Sequence, residues 1–344
     1  MNAGKKILIM VVAVALAISG VYLIESNYYF SPQNTTYSPQ LAASTVYIEN
    51  GVSGVVTLTD PFLNKTININ VVSDPMDSGS GVTVTKDGYI VTAFHVVSDP
   101  DTLDNQDTLK KMNSSDINHY VEEAAVREYI SNVNPQLGTK LLNGDSSSNS
   151  YSYETNQQDI SAITETLSQK NLLTVKSSQQ VIKVKFPASV NGGNSLNASL
   201  IDVGNPGTDE DVAILKVNPV NNNLPVLSVS SQKPTIGESV SIYGYPGNDS
   251  GNYQKTQSSV TPKSTSGSLI SEISSYGTVY YKTSAPTASG YSGGPVFNSQ
   301  NNVMGILIYG SIVKQQSKTE SGIFLSSDYI IQICKANNVS ITVV

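Results

Sequence analysis

The 344-residue chain has no tryptophan, one cysteine, one arginine and two histidines. Each scarcity removes a class of answer. A lone Cys334 cannot form an intramolecular disulfide, and it has no partner at metal-ligand spacing, so neither metal nor cofactor is expected. On an apolar C-terminal helical pattern, Cys334 reads as a small buried core residue. Arg127 is the one arginine and the net charge is −7, so there is no basic stripe for nucleic acid, and that partner class is excluded. Without indole rings the core must rest on Val, Ile, Leu and Tyr, and an apolar content of 39% suffices for a packed β fold. Any imidazole chemistry must use His95 or His119.

Against these absences stands Gly290-Tyr291-Ser292-Gly293-Gly294-Pro295, a serine boxed by glycines. A hydroxyl is a poor nucleophile until an imidazole takes its proton, and the resulting oxyanion needs backbone N–H groups that glycine leaves unobstructed. His95 ends the run Thr92-Ala93-Phe94-His95 behind an apolar strand, whereas His119 lies on a polar-rich helical pattern. His95 is the better base. An acid is then needed to hold the imidazole in one tautomer. Asp209-Glu210-Asp211 opens the β-like run Val212 to Val217, and Asp211 is the choice among the three, with Asp209 and Glu210 as alternatives.

In the order His, Asp, Ser, the strings T-A-F-H, D-V-A-I-L-K-V and G-Y-S-G-G-P resemble the trypsin-like (chymotrypsin-fold) serine peptidases, with the prokaryotic HtrA/Deg branch nearest in look. Gly79-Ser80-Gly81, Asp87-Gly88-Tyr89-Ile90-Val91, Gly244-Tyr245-Pro246-Gly247 and Val303-Met304-Gly305-Ile306 support the match. It covers roughly residues 44–98 and 180–337. The resemblance implies an all-β fold of two six-stranded β-barrels of chymotrypsin-like type. It implies Ser292 as nucleophile, His95 as base, Asp211 as the orienting acid, and the N–H groups of Gly290 and Ser292 as an oxyanion hole. Protein or peptide substrates follow, with protein quality control as a setting and a homo-oligomer as a possible assembly. A missing disulfide favours a prokaryotic-type chain. The substrate pocket would be formed by Pro286, Leu307 and Tyr309, and no carboxylate occurs from Lys282 to Phe297, so cleavage is expected after small or medium aliphatic residues. Two positions depart from the pattern. Phe94 replaces a small residue and needs housing near the imidazole, and Tyr291 stands where relatives carry Asn or Asp, which leaves no carboxylate for activation by a newly cut amino terminus. The alternative function is an inactive peptidase-fold surface module that binds proteins or peptides.

Lys5-Lys6 precede an uncharged apolar run of 18 residues, Ile7 to Ile24. That length is just enough to span a bilayer, and the lysines favour an inside amino terminus. Residues 1–6 are therefore expected in the cytoplasm, 7–24 as an N-terminal transmembrane helix, and 25–43 as a tether. A peptidase domain over 44–337 would lie outside the cytoplasm at the cell membrane, with 338–344 as a tail and no appended PDZ module. A cleaved signal peptide is the competing reading. The stretch between His95 and Asp211 is far longer than the family's usual spacing, and residues 99–178 read as an α-helical insertion. Within it the apolar spacing from Ile117 to Val133 predicts an amphipathic helix with Asp116 as N-cap, and Ile160, Ile163 and Leu167 predict a weaker second one. Strands are expected at 54–59, 66–71, 81–84, 89–92, 181–186, 196–203 and 211–217, then six more in the second barrel.

Overall fold

The computed structural model describes residues 38–100, 109–143, 157–246, 261–308 and 321–344. Apolar residues alternate with polar ones along β1 (Thr45–Asp60), burying Val46 and Ile48 in the main core and Val56 and Leu58 in a second one. β1 pairs antiparallel with β2 (Lys65–Thr83), and the sheet continues through β3 (Tyr89–Thr92), β4 (Leu173–Lys185), β5 (Ser195–Val203) and β6 (Ala213–Lys216). These strands close in the order β1-β2-β3-β6-β5-β4. A second closed barrel has the order β10-β11-β12-β9-β8-β7. It is built from β7 (Ser239–Gly244), β8 (Lys263–Ser275), β9 (Thr278–Pro286), β10 (Pro295–Phe297), β11 (Val303–Leu307) and β12 (Ser321–Ser326). The two six-stranded barrels match the expected fold class.

Some boundaries move. The strands expected at 66–71 and 81–84 are one strand, because the intervening residues keep pairing with β1, Asp74 opposite Val52 and Ser80 opposite Tyr47. Helix α1 (Pro39–Ser44) lies inside the span read as a tether, and its Leu41 and Ala42 are buried in the main core, so the folded unit begins before residue 44. At the other end Val339 is buried and Val343 bridges to Val229, which ties residues read as a tail to the domain. The expected membrane span, 7–24, lies outside the described residues. Among those described, no helix is long and apolar enough to cross a membrane.

The insertion is helical, as α2 (Ser114–Asn132), α3 (Gln136–Asn143) and α4 (Gln157–Gln169). Its first cap is Asn113 instead of Asp116. The Asn113 side chain accepts from the N–H groups of Ser115 and Asp116, while the Asp116 carboxylate accepts from Asn113 N–H at 2.9 Å, a reciprocal capping box. α3 escaped the sequence pattern, being only eight residues long. The insertion also owns a core of its own: Val121, Tyr129, Ile160, Ile163 and Leu167 pack against Val52, Val56 and Leu58 of β1 and Val71 of β2. Residues 173–178, read as part of the insertion, belong to β4.

Candidate active site

His95 lies in a 3-10 turn, Phe94–Val97, immediately after β3. Asp211 precedes β6, which pairs with β3, with Thr92 opposite Ala213. That register brings acid and imidazole together. Asp211 uses both carboxylate oxygens: Oδ1 accepts the His95 backbone N–H at 2.9 Å, and Oδ2 lies 2.6 Å from His95 Nδ1. With Nδ1 donating to the carboxylate, Nε2 is the nitrogen that can accept a proton. Burial works against the imidazolium, but the charge and hydrogen bond of Asp211, then the charge of Asp77, outweigh it and raise the His95 pKa above its ordinary value.

The neighbouring acids are occupied elsewhere. Glu210 closes its own loop, accepting from Asn205 N–H and Thr208 Oγ1, each at 3.0 Å. Asp209 Oδ2 accepts from Ser275 Oγ at 2.9 Å. The Asp209 carbonyl accepts from the Tyr280 hydroxyl and the Thr208 carbonyl from Thr278 Oγ1, so β9 of the second barrel grips the loop that carries Asp211. His119 pairs with Glu123 on α2, 3.3 Å apart, in the helical insertion.

Ser292 sits in the tight turn before β10. Gly294 N–H donates to the Tyr291 carbonyl at 2.9 Å, and Gly293 N–H to the Leu307 carbonyl at 2.8 Å. Gly290 and Gly293 have φ of 91° and 79°, a backbone region that L side chains rarely adopt. A Cβ on Gly293 would also stand 2.2 Å from Ser80 O and from Thr92 Oγ1. The turn is bracketed by the first barrel: Ser80 N–H donates to Ser292 O and Ser80 Oγ to Gly290 O, both at 2.7 Å. Ser80 Oγ in turn accepts from Tyr245 N–H at 2.9 Å. Ser80 was legible only as part of a Gly-Ser-Gly string, and its bracketing role depends on a contact 210 residues away in sequence.

The bulky departures are both housed. Phe94 is fully buried in the main core, and Tyr291 packs in the second barrel's apolar cluster, where burial pushes its hydroxyl pKa up. Of the expected pocket residues, Leu307 is buried at the end of β11 and Pro286 is half-buried at the end of β9. Tyr309 lies outside the described residues. Leu307 and Thr287 both lie 2.9 Å from where a Cβ on Gly322 would stand, so β11 and the end of β9 converge on one point. The Thr287 hydroxyl there is buried, with no hydrogen-bond partner among the described residues. Among the described residues, no group of three or more His, Cys, Asp or Glu side chains is arranged to hold a metal ion.

The architecture is a pair of closed six-stranded barrels, with an acid–imidazole pair on one and a glycine-boxed serine turn on the other. The chain belongs to the trypsin-like peptidase family: the Trypsin-like peptidase domain model matches residues 79–306. A glutamyl endopeptidase of Staphylococcus epidermidis is 29% identical over 139 residues, 38% of this chain and 43% of that protein. The same figures hold for the glutamyl endopeptidase of the strain ATCC 12228 / FDA PCI 1200. The chain thus spans less than half the length of these curated relatives. Among solved structures it is similar to the serine endoprotease from Yersinia pestis, with a TM-score of 0.45 and 16% identity over 88% of this chain and 67% of that one.

Proposed function

We propose that the protein is a serine endopeptidase. Ser292 attacks the scissile carbonyl, His95 takes its proton and returns it to the leaving amine, and Asp211 holds the imidazole in the required tautomer. The N–H groups of Gly290 and Ser292 receive the oxyanion. The observation that supports this most is the two-point grip of Asp211 on His95, at 2.9 and 2.6 Å, in the barrel whose Ser80 brackets the serine turn. A phosphonate probe should label Ser292, and His95→Ala should abolish labelling while His119→Ala retains it. Silence of the folded wild type would favour the inactive binding module, and equal loss in both variants would remove His95 from its role. Because the base must be neutral to act, kcat/KM should rise with pH along a limb set by the raised His95 pKa, above the ordinary histidine value.

The pocket reading is cleavage after Val, Ala or Leu, supported by Leu307 and Pro286 and by the lack of a carboxylate from Lys282 to Phe297. A second reading, an uncharged side chain that can hydrogen-bond, is favoured by the buried Thr287 hydroxyl, which has no partner among the described residues. Peptide-library profiling decides between them, and dominant cleavage after Lys or Arg would defeat both. Membrane tethering through 7–24, with the peptidase domain on the outer face, rests on Lys5-Lys6 and the apolar run alone. Release from membranes by high salt would refute it.

A further inference from the structure

Asp77 enters the site above only through its charge, which adds to that of Asp211 in favouring the His95 imidazolium. It lies on β2 two residues before Gly79, and the unbroken register from Asp77 to Val82 against Asn50 to Thr45 keeps residues 77 and 79 on one face of the strand. That face looks toward the chemistry. A Cβ on Gly79 would stand 2.6 Å from Val96, next to His95, and 2.8 Å from the Ser292 carbonyl oxygen. Directly across from Asp77, Asn50 donates to the Ser98 carbonyl at 3.1 Å and accepts from Gln180 at 2.8 Å, so the β1 neighbour is fully engaged in supporting the histidine turn.

Asp77 itself is under-used. Its Oδ1 accepts from Ser78 N–H at 2.7 Å, and among the described residues no lysine or arginine pairs with it. An ionised carboxylate can accept about four hydrogen bonds. The residue is half-buried, so part of it stays open to solvent, on the strand face it shares with Gly79. Burial pushes its carboxyl pKa up, against the lowering by the nearby His95 charge and the Ser78 N–H. A half-buried anion with spare lone pairs is stabilised by an incoming cation.

The side of the cleft follows from the division of the barrels. Pro286 and Leu307, expected to hold the acyl half of the substrate, belong to the second barrel. His95, which hands its proton to the leaving amine, belongs to the first, as does Asp77. The segment is also held in place by the insertion: Arg127 of α2 pairs with Asp74 at 2.6 Å, and Met76 packs on the insertion's core.

We propose that Asp77 is a specificity-determining carboxylate on the leaving-group side, binding a lysine or arginine side chain at the first or second substrate residue after the scissile bond. This rests on the peptidase reading. The test uses the full chain with fluorogenic peptides that differ only at those two positions, carrying Lys, Arg, norleucine or Glu. Wild type should favour Lys over norleucine about tenfold in kcat/KM, the size of one charge-assisted hydrogen bond, with Glu the poorest. In Asp77→Asn the Lys-to-norleucine ratio should fall to about one, a change that a loss of packing alone would not produce. Equal rates for Lys and norleucine in wild type that cleaves and takes the phosphonate label overturn the Asp77 role and leave the peptidase reading standing. A tenfold preference that survives in Asp77→Asn also overturns it. No cleavage and no labelling overturn both.

Discussion

The two barrels close with equal strand numbers and are otherwise unlike. In the first, β1 and β2 run for 16 and 19 residues, well past what closure needs, and the overhang is covered by helices that form a second core. In the second, β10 has three residues and β11 five. The acid and the imidazole therefore sit in the more heavily supported barrel, while the serine turn springs from short strands and takes its fixed shape from Ser80 across the junction. Support also passes the other way, since β9 grips the loop carrying Asp211. Each barrel positions the other's contribution.

The sharpest way to break this arrangement is at the acid–imidazole pair. Asp211→Asn keeps the size of the side chain but removes the charge that raises the His95 pKa and the acceptor that fixes its tautomer. Turnover should fall by about 10⁴, read as kcat on the best library peptide, with the thermal melt still cooperative. Next in size is removal of the cover. Excising residues 105–170, which removes the helices and leaves β4 whole, would strip Val52, Val56, Leu58 and Val71 of their helical packing partners, so the first barrel should lose its cooperative melt. A shortened chain that melts as sharply as the full one would show the helices to be mere decoration.

A milder change tests the joint between cover and barrel. Buried Asp60, at the end of β1, accepts from Tyr129 Oη at 3.1 Å and Asn134 Nδ2 at 2.5 Å, and from the N–H groups of Phe62 and Leu63 at 2.7 and 2.9 Å. Burial disfavours its charge, but the Leu63, Asn134, Phe62 and Tyr129 donors outweigh that and hold its pKa below the ordinary value. A depressed carboxylate pKa adds stability that is complete above the unfolded-state value and fades as pH falls through the folded one. Asp60→Asn should therefore cost about 2 kcal/mol at neutral pH. In chemical denaturation the gap to wild type should stay constant above the free Asp value near 3.9 and narrow as pH falls below it toward the depressed folded-state value. A gap independent of pH would mean that the charge has no part in it.

The comparison also explains what could be read from the chain. His95 stood out because it ends a short apolar run, Asp211 because it opens one and Ser292 because glycines box it, and local alternation marked the barrel strands. The full length of β2 did not, because Ser73 to Ser78 holds Asp74, Pro75 and Asp77 in a polar stretch whose pairing with β1 is set by the hairpin and by Arg127, not by hydrophobic pattern. Asn113 was passed over as a cap since the reciprocal bond with Asp116 exists only once the helix forms. Ser80 and Asp77 gain their importance from residues about 210 and 18 positions away, a kind of meeting that periodicity does not encode.

The smallest expected effect probes the reciprocal grip. Tyr280 is buried, and its hydroxyl donates to the carbonyl of Asp209, a residue held at φ 62° two positions before Asp211. Thr278 and Ser275 hold the same loop, so removing the Tyr280 hydroxyl leaves two of the three polar ties in place. Tyr280→Phe keeps the ring in the core and deletes one hydrogen bond, worth about 1 kcal/mol of stability. Asp211 N–H still donates to the Asp209 carbonyl at 2.9 Å, so the loop should loosen without unfolding. Near the acid such loosening acts on the orientation of His95, and kcat should drop by less than about tenfold while KM stays unchanged. A KM change with constant kcat would place Tyr280 in substrate binding, and unchanged kcat with lower stability would limit the second barrel's grip to folding.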